Sequence, residues 1–555
     1  MSANLFQYHE IYPTTWAYVS SLMIIGLFFK FSRFWSVRNL DLMLLILLSP
    51  GLLLIYFGQD VQKNAQQMAA VQTGDDTLIE SWVGVGSELS VAESSLESDG
   101  RSQGEPDGDT KEGPNGPHES SLADESWVDG SVSSADLDAS AEDAAVTELA
   151  RSTPSSRAGL RGESVERIGY IWVFVAGVFI LVRLLIDTAM VRRPLLDPNL
   201  TLGGLTFVCC SLFVFLTANV ITGEPTEDDL KGPRGAERLW AGDEADQSED
   251  SLGRYGPGLP LLHLLPTLST AWVHNADTAP VAEQEQTRYV YAAKLMAILS
   301  QLAIVIGVVV IGCRHFENIR AGMGAAVLYL LLPYTSMMTG RVMHVLPAAL
   351  LVWAVVFYRR PEVAGGFLGF AMGVVYYPFF LLPLWISFYW QRGLARFAAG
   401  VVLSLTLVVL SLVFTTSDMA DFWEHVRRIF GIMIPRTQGL EGFWQSLDEA
   451  YRVYRFPVLA AFIGISLAMT LWPAQKNLGT LISCSATVML ATQYWMGYGG
   501  GLSMAWYMPL VLLTIFRPNL EDRVALAVLG DFWPGRRLRT DRTAGRAAFA
   551  VTPSK

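Results

Sequence analysis

Residues 343–415 read MHVLPAALLVWAVVFYRR, then PEVAGGFLGFAMGVVYYPFFLLPLWISFYWQRG, then LARFAAGVVLSLTLVVLSLVFT. Three apolar blocks follow one another, with basic residues at the joints: Arg359 and Arg360 at the first, Arg392 and Arg396 at the second. A bilayer-spanning helix needs about 20 mostly apolar residues, and its backbone has to satisfy its own hydrogen bonds. These blocks are therefore read as membrane-embedded helices. The second is too long for one straight span and carries Pro378 and Pro383, so it is expected to form two short helices, one over Gly365 to about Tyr376 and one over about Phe379 to Trp390.

Similar runs recur through the 555 residues, which are 51% hydrophobic with a mean hydropathy of +0.33. The runs are continuous rather than alternating, which excludes a membrane β-barrel. The fold class expected is all-α: a polytopic integral membrane helical bundle of about 12–13 transmembrane helices, some short or broken. The four cysteines, Cys209, Cys210, Cys313 and Cys484, all lie in or beside apolar runs and read as small packing residues rather than as disulfides or a metal cluster. No metal site and no cofactor is expected.

The formal net charge of -12 is unevenly spread. Residues 71–150 hold 20 acidic residues against Arg101 and Lys111, so the rest of the chain is positive by 6. A positive remainder fits a membrane protein with basic cytoplasmic loops and gives no support to nucleic-acid binding. The first apolar run lacks the basic start and small-residue exit of a cleavable signal and is read as a retained helix.

Read in order, residues 1–60 supply the first two membrane helices, over about 14–29 and 39–57. Residues 61–166 are an acidic, disordered extracytoplasmic insertion, rich in Ser, Gly, Asp and Glu and too poor in apolar residues to build a core. Residues 167–221 carry helices three and four. Residues 222–293 form a second extracytoplasmic loop, polar and flexible at first; its later stretch GPGLPLLHLLPTLSTAWVHNAD reads as reentrant or interfacial, with a spanning helix as the alternative. Residues 294–415 are the central membrane helices. Residues 416–455 form an outer loop in which Phe422, Val426, Ile429, Phe430 and Met433 recur at helical spacing, marking an amphipathic helix on the membrane surface or over a cleft. Residues 456–517 give the last three helices, and 518–555 a basic cytoplasmic tail. The basic joints put the N-terminus outside.

No Walker loop, GxGxxG turn, HExxH helix or GxSxG elbow occurs in a usable context. Polar groups at the outer ends of helices remain. Asp60 is a carboxylate suited to act as a general base toward a hydroxyl. Arg341, Arg427 and Arg428 are guanidiniums suited to a phosphate, with His344 close to the first. Tyr494, Trp495 and Tyr498 form an aromatic group able to stack on a sugar or to anchor at the interface. Each also has a plain structural reading, as a loop carboxylate, a turn cap, a solvated helix face or an interfacial belt.

Four segments resemble the polytopic GT-C type of glycosyltransferase, closest to its bacterial polyprenol-phosphate-mannose-dependent branch. They are LLPYTSMMTGRVMHVLPAALLVW, RRPEVAGGFLGFAMGV, YYPFFLLPLWISFYWQRG and YWMGYGGGLSMAWYMPLVLLTIFRP, about 200 residues of the chain with their surroundings. The chain departs from that branch after the glycine helix, where Val375, Tyr376 and Tyr377 stand in place of a basic residue. The resemblance implies sugar transfer from a polyprenyl-phosphate donor to an acceptor on the extracytoplasmic face of a bacterial cytoplasmic membrane. Asp60 is the nearest match to the family's outer-loop base, and Arg341 with Arg427 or Arg428 would stabilise the leaving phosphate. The expected partners are that lipid donor and the bilayer. Two other readings stay open: a non-catalytic scaffold or assembly protein, and a transporter or flippase, against which stand the missing internal repeat and the few charges within the spans.

Overall fold

The computed structural model describes residues 12–73, 154–187, 196–241, 255–270, 281–391, 393–413, 419–429, 439–473 and 476–518. They fall into two compact units, one of residues 1–55 with 167–555 and one of Tyr56–Glu166. Among the described residues there are helices and no strand. Six of the described helices are long and apolar enough to cross a membrane, and the protein is a multi-pass membrane protein.

In the larger unit, α1 spans Pro13–Phe28 and α2 begins at Val37. Helix α3 ends at Asp187 and α4 spans Leu202–Thr222. Next come α5 (Glu227–Ala241), α6 (Gly258–Thr270), α7 (Val281–Arg314), α8 (Ile319–Leu331), α9 (Pro333–Met338) and α10 (Val342–Val356). Then follow α11 (Pro361–Val374), α12 (Leu382–Tyr389), α13 (Leu394–Val413), α14 (Met419–Ile429), α15 (Arg455–Leu471), α16 (Leu478–Trp495) and α17 (Met508–Phe516). Helices α8, α10, α16 and α17 are buried almost throughout. Around them, α3, α13 and α15 turn rows of large apolar residues outward, such as Val175, Phe179, Val182 and Ile186 on α3, and Val402, Leu403, Leu407 and Leu410 on α13. An apolar surface of that extent is stable only against lipid.

The expected break in 362–391 is present. Helix α11 stops at Val374, Val375 is extended, and a 3-10 turn over Tyr377–Leu381 leads into α12. Proline cannot donate to the preceding turn and restricts the residue before it, which is why the chain breaks ahead of Pro378. Pro333 splits α8 from α9 for the same reason. Helix α11 lies flush on α13 because glycines remove the side chains between them. A Cβ on Gly373 would sit 2.7 Å from Val408 Cγ2, and one on Gly400 would run into the Glu362 carbonyl. Helix α14 packs Phe422 and Val426 on Val408 and Leu412 of α13 and leaves Trp423 and Arg427 exposed. Phe430 and Met433 of the expected stripe lie outside the described residues.

Two expectations need correction. Residues 61–73 and 154–166 are not part of an unstructured insertion. They continue α2 to Thr73 and start α3 at Pro154. The first stretch, VQKNAQQMAAVQT, is built largely of good helix formers, and proline suits a helix's first turn. Within the smaller unit the two helices meet at glycine: a Cβ on Gly58 would lie 2.7 Å from the Gly162 carbonyl oxygen. Gln59 Nε2 and Gln62 Nε2 each donate to one carboxylate oxygen of Glu166, at 3.0 and 2.9 Å. Residues 74–153, the acidic heart of the expected insertion, lie outside the described residues, as do 519–555 of the basic tail.

The second correction concerns 227–241, expected to be flexible. It is helix α5, carrying Glu227, Asp228 and Asp229 in its first turn and Arg238 in its last, which suits the helix dipole. Arg234 bonds Glu227 at 2.9 Å, Lys231 bonds Asp228 at 2.6 Å, and Arg288 of α7 faces Glu237 at 3.6 Å.

Candidate functional site

The α9–α10 turn places Arg341 and His344 at one end of the larger unit's bundle. Thr226 precedes α5, and its position with Asp229 makes a reciprocal cap. Thr226 N and Oγ1 both donate to Asp229 Oδ2, at 3.2 and 2.6 Å, and the Asp229 N–H donates to the Thr226 carbonyl at 2.9 Å. The same carboxylate then reaches across to the turn. Its Oδ1 accepts from the Val342 N–H at 3.0 Å, and Arg341 Nη1 approaches Oδ2 at 3.4 Å while also donating to Thr226 Oγ1. Asp229 thus holds both the backbone that starts α10 and the guanidinium beside it. Its side chain is 2% exposed, whereas that of Arg341 is 40% exposed. Burial pushes the Asp229 carboxyl above its ordinary pKa, and Arg341, Thr226 and the Val342 N–H pull against that rise.

His344, in the first turn of α10, shares a 2.9 Å hydrogen bond with the Tyr334 hydroxyl through Nδ1. It is half-buried and engaged within the bundle. Met343 between them accepts from Trp506 Nε1 at 3.1 Å. Trp506 in turn packs on Tyr377, with ring centroids 5.6 Å apart, and Tyr377 packs on Trp495 at 5.5 Å. Phe380 and Phe462 complete the aromatic cluster around Trp495, at 5.7 and 5.5 Å. Arg455, at the start of α15, donates from Nε to the Trp495 carbonyl at 2.7 Å. The Trp495 indole N–H is buried and has no hydrogen-bond partner among the described residues.

The three aromatic residues at the end of α16 therefore diverge. Trp495 faces the cluster just described. Tyr494 turns to α3, where its hydroxyl donates to the Phe174 carbonyl at 3.2 Å and its ring meets Phe174 at 5.0 Å. Tyr498 lies in the following turn, half-buried. That turn is clamped by the segment before α15: the Glu441 N–H donates to the Gly497 carbonyl at 2.8 Å, and Trp444 Nε1 donates to the Tyr494 carbonyl at 3.0 Å. Gly499 and Gly501 hold the positive φ values, 60° and 90°, that make the turn possible.

Asp60 belongs to the smaller unit. It lies inside α2 rather than in a loop, is exposed, and accepts from Asn64 Nδ2 one turn later at 3.4 Å. Arg427 is exposed on α14, and the side chain of Arg428 lies outside the described residues. The structure thus brings Arg341, His344 and Trp495 into one connected end of the larger unit and adds residues that sequence reasoning passed over: Thr226, Asp229, Arg455, Tyr377 and Trp506. The pattern Thr226-x-x-Asp229 ahead of a helix was a readable capping signal. Nothing in the sequence linked it to Arg341.

Comparison with protein-family models, with curated proteins and with solved structures finds no match for this chain.

Proposed function

We propose that the chain transfers a sugar from a polyprenyl-phosphate donor to an acceptor at the non-cytoplasmic face of a bacterial cytoplasmic membrane. The observation that supports this reading best is the state of Arg341. Its Nη1 is held by Asp229 and Thr226, its side chain is 40% exposed, and no hydrogen bond from its Nε or Nη2 occurs among the described residues. A guanidinium oriented in advance at a bundle mouth is suited to the leaving phosphate of a lipid-linked sugar. Beside it Tyr377, Trp495 and Trp506 pack into an aromatic cluster of the kind that stacks on sugar rings. Both Asp229 oxygens already accept hydrogen bonds, so in this reading Asp229 orients Arg341; the GT-C resemblance names Asp60 of the smaller unit as the base.

The test is photo-crosslinking of a polyprenyl-phosphate mannose analogue to the full-length protein in nanodiscs. Losing a charge-assisted hydrogen bond weakens binding about 10- to 100-fold, so Arg341→Ala should reduce capture by that much. Capture that is absent from the wild type, or unchanged by Arg341→Ala, overturns the reading. One observation favours the alternative of a transporter or flippase: ion pairs link Asp41, Arg183, Asp187 and Arg517 at the other end of the bundle, and ionisable residues in spans mark transport pathways in many proteins. Lipid scrambling or flipping by reconstituted protein in the absence of any acceptor would select that reading.

A further inference from the structure

Helix α10 begins beside Arg341 and ends at Val356, about 22 Å away at 1.5 Å per residue. Around that far end, the turns joining α7 to α8, α10 to α11, α12 to α13 and α15 to α16 lie side by side. His315 Nε2 is 2.9 Å from the Val356 carbonyl, and its ring is 4.8 Å from that of Tyr358. The Tyr389 hydroxyl donates to the Tyr358 carbonyl at 2.6 Å. Ser387 Oγ donates to the Thr470 carbonyl at 3.0 Å, and Lys476 Nζ donates to Ser387 Oγ at 3.1 Å.

This face is basic. Arg314, Arg320, Arg360 and Arg396 stand exposed on it and Arg359 lies half-exposed over the Tyr358 ring, while its carboxylates among the described residues are Glu317 and Glu362. Among the described residues the side chains of Arg314, Arg320 and Arg360 make no hydrogen bond or ion pair. Arg183 and Arg517, by contrast, are locked in a ladder of ion pairs with Asp41 and Asp187. Arg320 is the second residue of α8 and Arg360 the N-cap of α11. A helix N-terminus already carries about half a positive charge, so a cation there costs local stability. The two arginines therefore add to a positive potential that no bonded carboxylate offsets.

Depth says what offsets it. The helices Glu285–Arg314, Leu394–Val413 and Glu449–Leu471 are each long and apolar enough to cross a membrane, and each has one end in these turns. The turns thus lie at the level of lipid headgroups. Ile319, Trp390, Leu471 and Trp472 are exposed on the same turns. Tryptophan beside aliphatic and basic residues is the mixture that sits between acyl chains and headgroups. A polyanion from solution would meet the arginines and leave these apolar groups in water, whereas a phospholipid covers both.

We propose that this face binds acidic phospholipids of the adjoining leaflet, with their phosphates on Arg314, Arg320 and Arg360 and their acyl chains along the spans that end there. A choline lipid brings its own cation to the guanidiniums and gains less.

The experiment uses full-length protein, delipidated in detergent, with dioleoyl phosphatidylglycerol or dioleoyl phosphatidylcholine added back. Native mass spectrometry counts retained lipid, and thermal melting follows stabilisation. Each arginine near a membrane surface strengthens binding of an anionic lipid about fivefold, so phosphatidylglycerol should be held at least about 25-fold more tightly than phosphatidylcholine. Its rise in Tm should shrink as salt is added. Arg320→Gln/Arg360→Gln should lose about 25-fold in phosphatidylglycerol binding and leave phosphatidylcholine unchanged. Without lipid its Tm should hold or rise, since both cations oppose a helix dipole. Arg314→Gln/Arg360→Gln is the second pair, which serves if the first does not fold. Equal retention of the two lipids, a phosphatidylglycerol preference kept by a folded variant, or an equal Tm rise from poly-glutamate in place of lipid overturns the proposal.

Discussion

Truncating Asp229 separates two roles that the structure gives one side chain. Asp229 accepts from Thr226 N at 3.2 Å, Thr226 Oγ1 at 2.6 Å, Val342 N at 3.0 Å and Arg341 Nη1 at 3.4 Å. Hydrogen bonds to a charged group contribute about 1.5–3 kcal/mol each, and a buried donor left without its acceptor costs about 1–3 kcal/mol. The carboxylate's own burial, which raises its pKa, offsets part of this. Asp229→Ala should therefore destabilise the protein by about 2–4 kcal/mol. The share owed to Arg341 is small. Its contact is the longest of the four and its side chain is 40% exposed, so solvent screening holds the pair to about 0.5–1 kcal/mol.

A double-mutant cycle decides between these shares. Asp229→Ala, Arg341→Ala and the double variant would be unfolded by sodium dodecyl sulfate in mixed micelles, beside the wild type. The expected coupling energy is below about 1 kcal/mol, while Asp229→Ala alone costs two to four times as much. Asp229→Asn, which keeps an oxygen for the Val342 N–H, should fall between Asp229→Ala and the wild type. A coupling of about 2 kcal/mol or more would refute this ordering. It would make Arg341 a structural cation locked to its carboxylate rather than a group held ready for a ligand.

Asp187→Ala should cost about 3–5 kcal/mol in the same assay, because Arg183 and Arg517 lose the carboxylate between them and Arg517 is almost wholly buried; a cost under about 1 kcal/mol would mean that the ladder relaxes freely. Gly400→Val should lower stability by at least about 1–3 kcal/mol, since its side chain would collide with the Glu362 backbone, whereas Gly366→Ala, with nothing within 4 Å, should be neutral or gain up to about 1 kcal/mol. Equal effects at the two glycines would contradict the α11–α13 contact. The pH dependence follows from the raised Asp229 pKa: the folded state holds that proton more tightly than the unfolded chain, so Asp229's contribution is largest below the unfolded value of about 3.9 and is lost as pH rises through the folded value. The stability of the wild type minus that of Asp229→Asn should fall as pH rises from about 4 and then level off. A difference that grows over that window would show the carboxyl to be depressed instead.

What could be read from the sequence and what could not divide along a physical line. Apolar runs near bilayer length, doubled arginines and prolines are local signals, and they were enough for the all-α membrane fold, the turn after Arg359-Arg360, and the break near Pro378. The polar ends of α2 and α3 were missed because a helix that leaves the apolar run gives no hydropathy signal. There the evidence was composition, the Ala, Gln and Met of 61–73, together with the glycines at 58 and 162 that let the two helices meet. Helix α5 is legible through Thr226-x-x-Asp229, yet its polar stretch of acids and prolines also reads as a flexible loop.

The pairings were beyond any local reading. Asp41 meets Arg183 across 142 positions, Asp229 meets Arg341 across 112, and Asp187 meets Arg517 across 330. Each of these acids stands a few residues from a helix end, where an unpaired carboxylate facing water would be ordinary. Packing makes them unusual, because burial penalises each charge until a partner from a distant helix arrives. This also explains why Arg341 was singled out and Asp229 was not. A cation on a three-residue turn between apolar helices is conspicuous in a sequence, whereas the carboxylate that orients it sits among Glu227 and Asp228 and becomes distinct only through its burial. The Asp229–Arg341 cycle and the Asp187 truncation therefore probe buried carboxylates at opposite ends of the bundle: Asp229 determines where an exposed cation points, whereas Asp187 holds two cations that are themselves largely buried.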